Sequence, residues 1–304
     1  MCNIRIEKCP LCGSVKIKSQ FACNDYLVSN DAFEIYSCME CEFLFTNNFP
    51  SANSIGKYYD ASEYISHSDT KKGFTSKIYH AVRKHMIKEK MKFVCKQSGK
   101  QTGKILDVGC GTGYFLDCAK RKGWEAVGIE KNEAARNLAE KQFGLYVKRE
   151  KHIYNFPKAY FDAITLWHVL EHIEDLGEML TKIHNLLSPD GIAVIAVPNC
   201  SSYDARHYKA RWAGYDVPRH LWHFTPQTME LWVKKFNFQI THKKPLFFDA
   251  FYISLLSEKG FKGKNTVAAL VKAFVIGSIS TVKTWSKKGR DKGSAMIYVL
   301  KKQK

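Results

Sequence analysis

Asp107, Gly109, Gly111, Gly113 and Glu130 have the residue types and spacing to hold a nucleoside. Lys104-Ile-Leu-Asp-Val-Gly-Cys-Gly-Thr-Gly113 is a short apolar run that breaks on glycines at alternate positions, with Cys110 between the first two. Glycines at a strand-to-helix turn let a ligand lie against bare backbone. Glu130 ends the next apolar run, 21 residues after Gly109, where a carboxylate can accept from two ribose hydroxyls. A second constellation is Cys9-Pro-Leu-Cys12 with Cys38-Met-Glu-Cys41, two matching pairs separated by 25 residues. Four soft sulfur ligands in a tetrahedron suit Zn²⁺ in a closed, structural site, with rubredoxin-like iron as the alternative. A third group is aromatic and basic: Tyr203 to Phe224 carries Trp212, Tyr215, Asp216, Arg219, His220 and His223. Aromatic walls with a few polar groups describe a ligand pocket. In it Asp216, His220 and His223 are candidates to move a proton, Arg219 to meet an anionic substrate group, and Trp212 and Tyr215 to line the substrate. Arg219 and His220 pinning the loop by hydrogen bonds is the competing reading. Trp167-His-Val-Leu-Glu-His172 places two histidines four apart around Glu171, which suggests a metal pair, but no third convergent ligand is legible.

The elements that must position these groups follow from periodicity and turn chemistry. Ile105 to Val108 reads as a buried parallel strand, Tyr114 to Lys122 as the helix after it, and Val127 to Glu130 as the next strand. Further strands are expected from Phe161, through Ile192 to Val197, at Phe238 to His242 and at Ala295 to Leu300, with a helix starting at Thr225-Pro226. Before them, a basic helix over about 76–96 sets Ile78, Val82, Met86, Met91 and Val94 roughly on one face. Phe21, Tyr26, Phe33, Ile35 and Tyr36 would supply the strands of a cysteine ribbon. Tyr58, Tyr59 and Tyr64 would either cover a ligand or pack on the main domain. The division is a ribbon at 1–46, a connector and helical cap at 47–100, and an α/β domain at 101–304 with a helical insertion at 246–293.

A dinucleotide fingerprint needs a glycine where this chain has Tyr114; the third glycine comes one residue early. Asp107-Val-Gly-Cys-Gly-Thr-Gly113 instead resembles motif I of the class I S-adenosylmethionine-dependent methyltransferases. The likeness continues through Phe161-Asp-Ala-Ile-Thr-Leu-Trp-His-Val-Leu-Glu-His-Ile173 and Leu187-Ser-Pro-Asp-Gly-Ile-Ala-Val-Ile-Ala-Val-Pro-Asn199. The resemblance implies a Rossmann-like, seven-stranded, mostly parallel sheet with S-adenosylmethionine on the glycine loop. It further implies Glu130 on the ribose, Glu150 on the adenine side, and Trp167 and His168 as cofactor or substrate contacts, with Glu171 and His172 opening a helix. Pro218-Arg-His-Leu-Trp-His-Phe224 resembles a subset of these enzymes that carry the same ribbon. Ribbon-bearing sugar C-methyltransferases are similar at the front, but their additional C-terminal domain is not expected in this chain.

Composition excludes little. With 45% hydrophobic and 25% charged residues the chain is ordinary for a globular protein. The N-terminus shows no secretory h-region, and ten cysteines without one are expected in a reducing, cytoplasmic setting. The net charge is +18, and residues 205–304 hold 20 Lys and Arg against 5 Asp and Glu. Such a field attracts anions, either on a small acceptor, on lipid or on nucleic acid. Thr266 to Val282 is apolar with Lys272 inside it, followed by Trp285 and a Lys/Arg cluster, so it reads as a lid helix or a membrane-surface helix. The expected activity is methyl transfer to a small hydroxylated, sugar-like or lipid-linked acceptor, with oxygen preferred. An RNA methyltransferase is an alternative that the sequence Leu166-Trp-His-Val, with no Asn-Pro-Pro-Tyr-like motif, disfavours. A zinc-organised binding protein without activity is the other.

Overall fold

In the computed structural model, which describes residues 3–59, 74–246, 248–259, 267–284 and 291–303, the chain begins with five strands. These are β1 (Asn3–Ile4), β2 (Ile17–Asn24), β3 (Ala32–Cys38), β4 (Leu44–Asn47) and β5 (Phe49–Pro50). A 3₁₀ turn (Ile55–Tyr59) and the helix α1 (Phe74–Ser98) lead to the α/β part. That part runs β6 (Lys104–Val108), α2 (Tyr114–Arg121), β7 (Glu125–Ile129), α3 (Glu133–Phe143), β8 (Tyr146–Lys148), β9 (Phe161–Trp167), α4 (Leu176–Leu186) and β10 (Leu187–Pro198). It continues with α5 (Tyr203–Tyr208), β11 (Trp222–His223), α6 (Pro226–Lys235), β12 (Phe238–Pro245), α7 (Asp249–Lys259), α8 (Val267–Lys283) and β13 (Ala295–Lys302).

Seven strands form one sheet in the order β12-β13-β10-β9-β6-β7-β8. Pairing is parallel from β10 to β8, and β13 runs antiparallel to both β10 and β12. The interior strands are nearly continuous apolar runs because helices cover both faces; Ile192 to Val197 are all buried. On one face α1 contributes Met91, Phe93 and Val94 to a core with Ile105, Phe115, Ile192, Val194, Ile297 and Val299. Val82, expected on that buried stripe, is instead exposed, and the side chain of Ile78 lies outside the described residues. The helix α6 starts where Thr225 predicts it, with the Thr225 hydroxyl accepting from the Thr228 N–H at 3.1 Å and Pro226 in the first turn.

The ribbon is not a separate unit. Its sheet has the order β11-β4-β3-β2, so one of its four strands comes from the loop after β10. Trp222 and His223 pair with Phe45 and Leu44. Cys9, Leu11, Cys38, Phe43, Phe45 and Phe49 share a core with Trp222, Phe224, Met229 and Trp232. Phe43 packs at 6.3 Å on Trp222, 5.7 Å on Phe224 and 5.9 Å on Trp232. A boundary at residue 46 would cut through this cluster. Tyr26, expected in a strand, lies in the turn between β2 and β3.

Candidate active site

The three glycines fall in the turn between β6 and α2, all with positive φ. Gly109 backs onto Val169, and at Gly113 a Cβ would stand 2.6 Å from Leu145 Cδ1 and 2.8 Å from Ala139 Cβ. Those two glycines bring the turn against its own domain. Gly111 differs, because a Cβ there would meet no atom within 4 Å. Its backbone faces open space, a cradle that a ligand can fill. Glu130, one residue past β7, accepts from the N–H of Gly111 and of Asn132, each at 2.8 Å. Asp107, buried at the end of β6, accepts from the Thr165 hydroxyl at 2.6 Å. Burial pushes its carboxyl up to about 7 against that bond and the nearby Lys90 ammonium. Burial likewise raises the Cys110 thiol above its ordinary range. Glu150 is exposed at the start of a 3₁₀ turn after β8, the next strand along the sheet.

Trp167 and His168 stand at the carboxyl end of β9. Lys90 of α1 lies 4.4 Å over the Trp167 ring, and Phe115 meets that ring edge-on at 5.5 Å. His168 has φ 59°, which turns its ring out of line with the residues after it. Its Nε2 is 2.7 Å from Asp249 and its Nδ1 3.4 Å from Glu171. Burial opposes charge on this ring, but the two carboxylates outweigh it and hold its pKa up to about 10. The two carboxylates thus favour the imidazolium form of His168, a donor rather than a base. Asp249 opens α7, so the helical insertion reaches into the site through a residue that no local pattern singles out. Leu170 to His172 form a 3₁₀ turn rather than an α-helix start, and His168 and His172 do not share a helical face.

The loop after β10 differs most from expectation. Arg219 is no open anion grip: its side chain is 0% exposed. It donates to both Asp216 oxygens (3.1 and 2.7 Å), to Asp25 (2.7 Å) and to the Tyr58 carbonyl (2.7 Å). Despite burial, the guanidinium and His220 hold the Asp216 carboxyl below its usual range. His223 is buried in β11 with Nε2 3.0 Å from the Thr46 hydroxyl, and burial, reinforced by His220, drives its pKa down to about 3. Trp212 is core, its indole N–H donating to Asp204 at 2.8 Å, and Tyr215 packs edge-on against it and against His223. Arg219, Asp216, His223, Trp212 and Tyr215 hold the loop together. A shallow cleft lined by Asp25, Tyr26, Trp212 and Leu256 borders this network, with Arg219 and Asp216 in its wall. Of the expected proton carriers, His220 lies between two carboxylates, with Nε2 4.0 Å from Glu171 and 3.8 Å from Asp216.

At the ribbon the sulfur atoms of Cys9, Cys12, Cys38 and Cys41 lie within 4.8 Å of one another. Cys9–Cys41 and Cys12–Cys38 are each 3.5 Å apart. Four sulfurs on one Zn²⁺ at about 2.3 Å stand roughly 3.8 Å apart, so the set fits a tetrahedral ion. Burial opposes thiolate at Cys38, but N–H groups of Cys41 and Glu40 outweigh it and bring the thiol to about 7.

A family profile described as "Methyltransferase domain" matches residues 79–243. The ubiquinone biosynthesis O-methyltransferase of Rhodopseudomonas palustris is 27% identical over 161 residues, covering 48% of this chain and 62% of that protein. The protein of the same name from Psychrobacter arcticus is 32% identical over 105 residues, 32% of this chain and 41% of that one. The chain thus spans less than two thirds of the length of these curated relatives. A solved structure from Galdieria sulphuraria, a proposed sarcosine dimethylglycine methyltransferase, superposes with TM-score 0.50 at 14% identity, covering 75% of this chain and 88% of that one. That likeness extends to the fold.

Proposed function

The chain belongs to the methyltransferase-domain family, on the class I S-adenosylmethionine-dependent fold, and from this we propose that it methylates a small hydroxylated, sugar-like or lipid-linked acceptor, at oxygen. The observation that carries the reading is Glu130 held against the open backbone of Gly111 at the carboxyl end of the sheet. When bound, S-adenosylmethionine supplies a methyl group already activated on its sulfonium, so an acceptor oxygen displaces the sulfur directly and only the acceptor's proton needs a protein group. Gly109 to Gly113 and Glu130 would hold the methionine and ribose portions, and Glu150 the adenine side. Trp167 and Lys90 would wall the cleft, with His168, oriented by Asp249, donating to the acceptor. His220 is the proton-handling group with an edge toward the site. The name shared by the curated relatives supports oxygen as the acceptor atom. The four cysteines would hold Zn²⁺ as a closed structural site.

Contact with a lipid surface is favoured by one observation. The outer face of α8 leaves Val267, Leu270, Val271, Phe274, Val275 and Val282 exposed. Its inner face packs Ala273, Ile276, Gly277 and Ser280 into the protein, so the helix is lid-like on one side and apolar on the other. Among the described residues no helix is long and apolar enough to cross a membrane. Trp285 and the basic residues at 287–290 lie outside the described residues.

Calorimetric titration with S-adenosylmethionine and S-adenosylhomocysteine, with Glu130→Ala as control, tests the cofactor. Micromolar binding that the substitution abolishes is expected; folded protein that binds neither overturns the reading.

A further inference from the structure

Glu171, His172 and His220 bring one carboxylate and two imidazoles together, with ligand atoms within 4.8 Å of one another. Both Glu171 carboxylate oxygens are buried without a hydrogen bond, and the side chain is 0% exposed. His168 stands 3.4 Å away as an ion-pair partner, and the Nε2 of His220 lies 4.0 Å away. An ion pair alone leaves the lone pairs of a buried carboxylate unfilled, and a cation bound between it and the two imidazoles would complete them. The two imidazoles are pre-oriented. His172 donates from Nδ1 to the Arg219 carbonyl at 3.0 Å, and His220 from Nδ1 to the Gly214 carbonyl at 2.9 Å. Each ring therefore presents an Nε2 lone pair, the arrangement by which metal-binding histidines are held from behind. The rings meet edge-on with centroids 4.6 Å apart. Tyr59 stands behind His172, its hydroxyl 3.3 Å from Nδ1.

We propose that Glu171, His172 and His220 form a second metal site, for a borderline divalent cation such as Zn²⁺ or Co²⁺, distinct from the cysteine ribbon. Two imidazoles and one carboxylate are ligands such ions accept, and three protein ligands leave coordination positions open. Tetrahedral ligands at about 2.1 Å stand roughly 3.4 Å apart, so the cluster, whose ligand atoms lie within 4.8 Å of one another, closes by up to about 1.4 Å on loading. The open positions would take an oxygen of the acceptor, whose hydroxyl proton then passes more readily to solvent; when the ion is bound His220 serves as a ligand and not as the base. This role rests on the methyl-transfer reading; the site itself does not.

The full chain, stripped of metal and titrated with Co²⁺, tests the proposal. Thiolate-bound cobalt gives intense charge-transfer absorption that nitrogen and oxygen ligands do not, so the two sites are read separately. Two equivalents are expected, the second without thiolate absorption. Glu171→Gln and His220→Gln should weaken that second equivalent by more than about 10-fold, the loss that even an outer-shell substitution causes. Retained thiolate absorption in the variants reports an intact ribbon. A single equivalent in the parent protein, or a second one that both variants keep, overturns the site. Acetohydroxamate, a two-oxygen chelating probe, should shift the second set of bands alone; an unmoved spectrum overturns the acceptor role. S-adenosylhomocysteine calorimetry on the same samples separates the readings. Lost cofactor binding with the second cobalt retained removes methyl transfer and leaves the site.

Discussion

Replacing Arg219 by Met deletes the cation between two buried carboxylates without changing the bulk of the side chain greatly. Asp25 and Asp216 lose three charge-assisted bonds, and the Tyr58 carbonyl loses a fourth. Breaking a buried pair by removing one partner costs about 3–5 kcal/mol, because the remaining charge has no water to return to. Against a total stability of roughly 5–15 kcal/mol that is a large fraction. In urea, with an m value of about 3 kcal/mol/M for a chain this long, the midpoint should fall by about 1–1.7 M. Arg219→Lys keeps the charge but not the planar fork and should fall between. Adding Asp25→Asn to Arg219→Met should cost less than the sum of the two, since it removes one orphaned charge. Equilibrium unfolding followed by tryptophan fluorescence measures all three, and Arg219→Lys keeps the comparison open where Met does not fold. A loss below about 1 kcal/mol for Arg219→Met would refute the strut and return Arg219 to a ligand-binding role.

Asp107→Asn should flatten stability against pH. The folded carboxyl is raised to about 7 from 3.8, so the parent protein loses stability as pH climbs from about 4 to 7; three units set a ceiling of about 4 kcal/mol. Melting curves that stay parallel across that window contradict the shift. Gly113→Ala must hold φ 83° and clash with Leu145 and Ala139. It should lose about 1–3 kcal/mol to backbone strain and weaken S-adenosylhomocysteine binding, and calorimetry finding unchanged affinity argues against the loop assignment. Removing metal from the ribbon should lower the melting temperature and red-shift the emission of Trp222, which stacks on Phe43 beside the cysteines. Unchanged emission would separate the metal from that core.

Local order made part of this molecule legible in its sequence. The strand Lys104–Val108, the turn at Gly109 to Gly113 and the acid at Glu130 are a contiguous pattern, and the Thr225 cap needs only its own four residues. Cysteine pairs at matching spacing announce their cluster in the same way. What stayed hidden depends on contacts between distant segments. Arg219 meets Asp25 across 194 residues, and His168 meets Asp249 from an insertion with no motif. The histidine pair around Glu171 suggested i,i+4 geometry, but a left-handed backbone at His168 breaks it, and the second imidazole of the cluster comes from His220. Aromatic and basic residues at Tyr203 to Phe224 carry the same composition whether they line a pocket or pin a loop. Burial decides between the two, and composition does not report it.

The pairing of β11 with β4 makes the ribbon and the loop after β10 thermodynamic partners. The Thr46 N–H donates to the Leu221 carbonyl at 2.9 Å, while the Leu221 N–H donates to the Glu171 carbonyl at 2.8 Å. One residue therefore ties the ribbon to the turn that carries Glu171 and His172. Any ion that tightens the ribbon and any ligand that tightens that turn act on a shared segment. Reciprocity then requires that each raise the other's affinity by the same factor.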